Sequence, residues 1–351
     1  MKEELLRRLA EFDAGGAGVL STYLDMRPQQ SGESPGQRHA LIQMRDRLRE
    51  IESTLKRRNE IDALTADVER IESYLATGFP TEAQGLAVFA CAPAGLFETV
   101  TSGTPFDTRI AYGPRPELYQ LAKLIDDLET AVVAVVDTNT ARLFVMRTGF
   151  LKEVGGPDRS DHGEFHKHKV GGWSQARFQR HIQHNRLAFM KEAGEAIEAL
   201  VRREGATRLI VAGNEVAVPL LKDALSPQVK ELLHDEALRL HIRAGEQEVQ
   251  SEVAPILAQL EAEQDHTVAE LLAEGVRGGG LAVSGMKHTR RALENGQVDT
   301  LVLAADHDIP QEQRNELIQL AAITSAAVEV VEGHETLRQL GGVGALLRYQ
   351  L

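Results

Sequence analysis

The chain has 351 residues, 42% hydrophobic and 26% charged, which suits a soluble globular protein with room for two or three cores. Its formal net charge of -13 excludes a protein that coats nucleic acid by bulk charge. The single cysteine, Cys91, has no partner within the chain, so a reducing cytoplasmic setting is expected. No apolar run approaches the roughly 20 residues of a membrane helix. The start, MKEELLRRLAE, is an amphipathic helix without the apolar core of an export signal.

After that helix a strand is predicted at 19–24, then a polar loop at 25–36. From 37 to 76 the chain holds neither glycine nor proline. Leu41, Met44, Leu48, Ile51 and Leu55 alternate steps of three and four, and so do Ile61, Leu64, Val68, Ile71 and Leu75. Both runs are helical stripes. Their phase slips at 56–59, which leaves one long helix with a stutter or a helical hairpin. Strands at 85–91 and 96–101 complete an α+β N-terminal domain. The Pro/Gly-rich stretch 104–116 sets its end, placing this domain at 1–113.

The second unit opens with a helix at 116–129 and a strand at 131–137. That strand, AVVAVVD, is apolar up to its last residue, as a strand covered on both faces should be. A second strand at 141–147 leads to a long polar loop at 155–173. The helix at 174–204 carries Phe178, Ile182, Phe189, Ala193, Ile197 and Leu200 on its inner side. A strand at 208–212, helices at 216–225 and 227–234, and a strand at 238–242 complete an α/β layer domain over 114–245. The third unit, 246–351, has helices at 247–274, 287–295 and 311–322 and strands at 298–304 and 327–331. These elements make a compact α/β/α sandwich. The run Gly278-Gly279-Gly280 fits neither GxGxxG nor GxxxxGK[ST], so it is no nucleotide loop and no cofactor is expected.

The stretch DHGEFHKHKVGGWSQARFQRHIQHNR, 161–186, differs from the rest of the chain. Lys167, Lys169, Arg177, Arg180 and Arg186 face only Asp161 and Glu164. Five histidines join them: His162, His166, His168, His181 and His184. A local cationic patch on an acidic protein is a candidate RNA footprint, formed by His166, Lys167, His168, Lys169, Arg177, Arg180 and Arg186, with Trp173 to stack on a base. Gly171 and Gly172 permit φ > 0 and free backbone N–H groups to meet an anion or a developing oxyanion. Gln175 beside them can orient a water without being ionised. The blander alternative is a glycine turn with Ser174 as helix N-cap. A third is a metal hydrolase on the histidines, where His181 and His184 share a helix face. Against it, there is no HExxH, and ligands spread over a flexible loop are poorly preorganised. Asp137 could suggest nuclease chemistry, but no evident carboxylate partners converge with it, so a turn cap to Thr140 is expected.

The string GGWSQARFQR resembles the basic loop GGQSA-RF-R-R of archaeal and eukaryotic class-one release factors through Gly171, Gly172, Ser174, Ala176, Arg177, Phe178 and Arg180. The strand pair VVAVVDTNTARLF, the loop and the long helix recur in the same order. Trp173 stands where that family has its glutamine, and the nearest is Gln175. Vms-type quality-control hydrolases use a glutamine in a loosened version of the motif. The segment GLAVSGMKHTRRALENGQVDTLVLA, 280–304, resembles the last domain of release factors and Pelota through Gly285, Thr289, Ala292, Leu293, Gly296, Val298 and Leu301. STYLD and GVGALLRY resemble the bacterial branch, which includes Balon-type hibernation factors. Neither NIKS nor YxCxxxF is present, so stop-codon reading is not expected. The resemblance implies an RNase H-like middle domain with a protruding basic loop. It also implies a C-terminal domain like kink-turn-binding ribosomal proteins. The implied partners are the ribosome at the peptidyl-transferase and A-site rRNA, peptidyl-tRNA, and a translational GTPase such as EF-Tu. A monomer with no membrane association is implied. Two activities remain open: peptidyl-tRNA hydrolysis in ribosome rescue through Gly171, Gly172 and Gln175, or non-catalytic occupation of a vacant A site in hibernation.

Overall fold

The computed structural model describes residues 2–27, 36–127, 129–159 and 173–349; the side chains of 2–3, 36–39, 173–179 and 181 lie outside the description. Helix α1 (Lys2–Ala10) and strand β1 (Val19–Asp25) precede two separate helices, α2 (Gly36–Thr54) and α3 (Arg58–Thr77). The phase slip is therefore a hairpin. The chain leaves helical geometry at Arg57, whose φ of -99 and ψ of 132 are extended. Next come β2 (Gly85–Cys91), a 3-10 turn (Ala92–Ala94), β3 (Leu96–Ser102) and β4 (Arg109–Gly113). They form an antiparallel sheet of order β3-β2-β1-β4. Strand β4 lies inside the Pro/Gly-rich stretch that composition marks as a connector. It is an edge strand, where such residues are tolerated because only one side is paired.

Helix α3 buries Asp67, 1% exposed, beside Cys91. Its Oδ1 accepts a hydrogen bond from the Ala92 N–H at 2.7 Å, and its Oδ2 has no hydrogen-bond partner. Burial disfavours the charged form and pushes this carboxyl up to about 6; the Ala92 N–H opposes that rise.

The chain continues through α4 (Tyr119–Asp127), β5 (Ala131–Val136), β6 (Ala141–Arg147), β7 (Phe150–Gly155), α5 (Trp173–Glu204), β8 (Arg208–Gly213), α6 (Ala217–Ala224) and α7 (Pro227–Lys230). It closes with α8 (Glu246–Arg277), β9 (Ala282–Ser284), α9 (Met286–Glu294), β10 (Val298–Ala304), α10 (Gln311–Ile323), β11 (Ala327–Val331), α11 (Glu335–Gln339) and β12 (Val343–Leu347). The middle sheet has the order β7-β6-β5-β8, with β5 and β8 parallel. The last has the order β11-β10-β12-β9. The described residues thus make a mixed α/β fold with three four-stranded sheets. No described helix is long and apolar enough to cross a membrane.

Strand β5 is buried on both faces, as its unbroken apolar run requires. Val132, Ala134 and Val136 join a core with Phe189, Ile197 and Leu221, whereas Ala131, Val133 and Val135 join another with Val249 and Val253. The chain forms two compact units. One comprises Met1–Asp127 with Gln259–Leu351 and the other Leu128–Ala258.

Several expectations shift. The helix expected from 116 starts at Tyr119, because the Pro116 carbonyl is taken by Asn315 Nδ2 at 2.9 Å and Gln319 Nε2 at 3.2 Å of α10. The helix expected at 227–234 shortens to α7. The strand expected at 238–242 is a single rung, Ala212 to Leu238, since the Ala244 N–H bonds back to His241 and turns the chain toward α8.

Candidate nucleic-acid interface

The polar stretch after β7 is rooted in a set of short-range contacts within the second unit. Asp137 ends β5 by capping a turn. Its Oδ1 accepts from the Asn139 N–H at 2.8 Å and the Thr140 N–H at 2.7 Å, and its own N–H donates to the Thr140 carbonyl. The expected cap is therefore present. Thr140 Oγ1 donates to Asp158 at 3.1 Å, and the Arg159 N–H donates to the Asn139 carbonyl at 2.8 Å. Two glycines make this approach possible. Gly155 adopts φ +98, and a Cβ on Gly156 would lie 2.1 Å from the Ala141 carbonyl oxygen. Past them, the Arg159 guanidinium pairs with Glu192 of α5 and lies 5.9 Å from the Phe189 ring centre. The expected loop at 155–173 is thus held at its first five positions. Its remainder, 160–172, lies outside the described residues, and with it His162, His166, Lys167, His168, Lys169, Gly171 and Gly172.

Helix α5 receives the chain on the far side. It has 32 residues, about 48 Å of helix. Among its described side chains the packed part begins at Phe189: Phe189, Met190, Ala193, Ile197, Leu200 and Val201 are buried. None of the described side chains before Phe189 is buried. Arg180, Gln183, His184, Leu187 and Ala188 are exposed, and Ile182, Asn185 and Arg186 are half-buried. Ile182, expected on the inner side with Phe189, therefore stands short of the core, and Phe178 lies outside the described side chains. The rise from Trp173 to Phe189 is about 24 Å.

Charge divides along the same helix. Positions 173–191 contain Arg177, Arg180, Arg186 and Lys191 and no acid. Its acids, Glu192, Glu195, Glu198 and Glu204, all follow, and each is paired with a cation. The first half is therefore cationic, and the helix dipole adds positive potential at its start. Backbone placement puts Trp173, Arg177, Arg180 and His184 at steps of four, three and four, on one face. Gln175, two residues from Trp173, starts on another. Because the helix begins at Trp173, Ser174 falls in its first turn and is not its N-cap. Of the histidines weighed as metal ligands, His184 is exposed, and the side chain of His181 lies outside the described residues.

Inspection of the sequence overlooked Arg159 and Glu192, which pin the root of the segment. Neither belongs to a motif, and their pairing spans 33 positions. The one hint is the position of Arg159 at the margin of the polar run.

The family model described as Bacterial archaeo-eukaryotic release factor family 10 matches residues 116–258, and that for eRF1 domain 3 matches 262–351. Peptide chain release factor subunit 1 of Aeropyrum pernix is 25% identical over 377 residues, covering 99% of this chain and 94% of that protein. The Pelota homologue of Pyrococcus furiosus is 30% identical over 176 residues, 46% of this chain and 49% of its own. A ribosome-bound archaeal Pelota, solved with ABCE1, covers 100% of this chain and 95% of its own at 15% identity, with a TM-score of 0.46. The two family models together span the middle and final thirds, and the release factor spans nearly the whole, so the chain belongs to the archaeo-eukaryotic release factor and Pelota superfamily.

Proposed function

We propose that this chain is a ribosome-binding translation factor that enters the A site as a tRNA mimic and hydrolyses the peptidyl-tRNA ester during ribosome rescue. One observation carries this: none of the described side chains of α5 before Phe189 is buried, and this half bears Arg177, Arg180 and Arg186 without an acid, on a chain of net charge -13. Lys167, Lys169, Arg177, Arg180 and Arg186 would hold rRNA or tRNA phosphates, contacts that position without reading sequence. His166 and His168 would add donors, and Trp173 would stack on a base. Gly171 and Gly172 would turn backbone N–H groups toward the ester oxyanion, and Gln175 would hold the attacking water. The water oxygen would bond to the ester carbonyl carbon, and the tRNA 3′ oxygen would leave with a proton. A translational GTPase such as EF-Tu would deliver the factor, which would act singly in the cytoplasm.

A second possibility is favoured by Trp173, which occupies the position directly after the glycine pair. The same surfaces would then occupy a vacant A site without cleavage. Two assays test the proposal. Co-sedimentation with ribosomes at low salt should be lost in Lys167→Glu/Lys169→Glu, and parent protein that stays in the supernatant would refute ribosome binding. Release of peptide from peptidyl-tRNA-loaded ribosomes should fall at least tenfold in Gln175→Ala. Equal rates would remove the hydrolytic mechanism and leave occupancy.

A further inference from the structure

Two histidines and a glutamate meet in the first compact unit, which does not include α5. His266 and Glu270 stand four residues apart on α8, so they share a helix face. His334 lies just ahead of α11 in extended backbone, with φ -94 and ψ 110, and its side chain does not cap that helix. The imidazole is 11% exposed and reaches back to α8. His334 Nε2 lies 3.2 Å from His266 Nδ1 and 3.5 Å from Glu270 Oε1. The ring centres are 5.1 Å apart, so the two imidazoles meet nitrogen to nitrogen and do not stack. The other oxygen of Glu270, Oε2, is 4.0 Å from Arg277. The other nitrogen of His334, Nδ1, is buried with no hydrogen-bond partner, so the polar contacts of this ring lie on its Nε2 side.

Hydrogen bonds alone leave this arrangement incompletely satisfied. A neutral imidazole offers one N–H and one lone pair, and an ionised carboxylate only accepts. If Nε2 of His334 carries a proton, it can give that proton fully to His266 or to Glu270 but not to both. If it carries none, its lone pair faces the carboxylate. A divalent cation satisfies all three atoms at once. The spacing suits one as well. Two nitrogens on a tetrahedral zinc, with bonds of about 2.05 Å, lie about 3.3 Å apart, and a nitrogen and a carboxylate oxygen lie about 3.4 Å apart. The separations of 3.2 and 3.5 Å match both. The glutamate side chain is flexible, so its oxygen can complete the third edge, toward His266. Two nitrogens with one carboxylate select zinc and similar borderline ions over calcium or magnesium.

We propose that His266 Nδ1, His334 Nε2 and Glu270 Oε1 bind a zinc ion or a similar borderline divalent cation, with water in the fourth position. The ion fastens α8 to the turn between β11 and α11, joining residues 68 positions apart.

The test is calorimetric titration of the full chain with ZnCl₂, alongside thermal unfolding with and without zinc. One equivalent should bind at this site and raise the Tm, because the ion favours the folded state. His266 is exposed, so His266→Ala should fold, and it should bind that equivalent about tenfold or more weaker. Glu270→Gln should weaken it too, since an amide oxygen carries no charge. Removing loop histidines in His162→Ala/His166→Ala/His168→Ala should leave this equivalent in place. Hydrogen exchange locates it: zinc should slow exchange in 263–270 and 333–339. A dissociation constant weaker than about 0.1 mM would overturn the site. Binding that survives His266→Ala and is lost in the loop variant would overturn it equally, by moving the metal to the loop. So would exchange that slows elsewhere and not in these two segments.

Discussion

The buried carboxyl of Asp67 offers a quantitative test of the N-terminal core. Its value of about 6 stands roughly two units above an ordinary aspartate, equivalent to about 3 kcal/mol between its protonated and ionised forms. The folded state binds the proton more tightly than the unfolded state. Stability is therefore fullest below the unfolded value near 3.8, falls as pH rises toward 6, and is flat above it. Cys91, the chain's one thiol and fully buried beside Ala92, reports local opening of the same core. Labelling Cys91 with a pyridyl disulfide under native conditions measures that opening when reclosing is faster than reaction. Taking the ratio of parent to Asp67→Asn rates at each pH cancels the thiol's own titration. It also cancels any constant cost of the amide in the pocket. The ratio should rise about tenfold or more between pH 4.5 and 6.5 and then level off. A ratio independent of pH would show that Asp67 is not held in a desolvated site, and the account of this core would be wrong.

Other outcomes follow from the second unit. Ile197→Ala, in a fully buried position, should lower stability by about 2–5 kcal/mol, whereas Ile182→Ala, on the unpacked half of the same helix, should cost under about 1 kcal/mol by denaturant titration; equal costs would refute the division of α5. Gly156→Ala should lose about 2 kcal/mol or more, because the new methyl meets the Ala141 carbonyl; an unchanged midpoint would refute this packing. Arg142 bonds both oxygens of Glu153, at 2.9 and 2.6 Å, and the carbonyls of Ile242 and Ala244, and it holds the Glu153 carboxyl below its ordinary value. Removing it in Arg142→Leu should cost about 2–4 kcal/mol near neutral pH, and the loss should shrink as Glu153 is protonated in acid. A pH-independent loss would contradict the pairing.

Local periodicity made the helical elements legible. The 3.5-residue stripes from Leu41 and Ile61 marked helix on both sides of 56–59 without deciding between a stutter and a turn, and the apolar run 131–136 marked a strand with two buried faces. Asp137 could be assigned to a turn because an Asx turn is a contact over two or three residues. Strands β4 and β12 were harder to see, since Gly113 in the one with Pro116 beyond it, and Gly344 in the other with Gly341 and Gly342 before it, mask the alternation. At 238–242 the apolar residues do reach the core, but tertiary turns decide whether they pair. For the candidate site, composition showed the cationic run. Periodicity put Ile182 on the same face as Phe189 but could not say that the core ends at Phe189, because depth depends on what packs opposite. The Arg159–Glu192 clamp joins positions 33 apart, which local patterns do not encode.

The division of α5 also bears on how such a protein can change. Residues 189–201 answer to the fold, since altering them opens cavities. The described side chains before Phe189, those of 180 and 182–188, owe little to it, so selection on them follows the surface they meet. Whatever keeps the cationic residues of that half in place is therefore the surface they meet and not the packing of the domain.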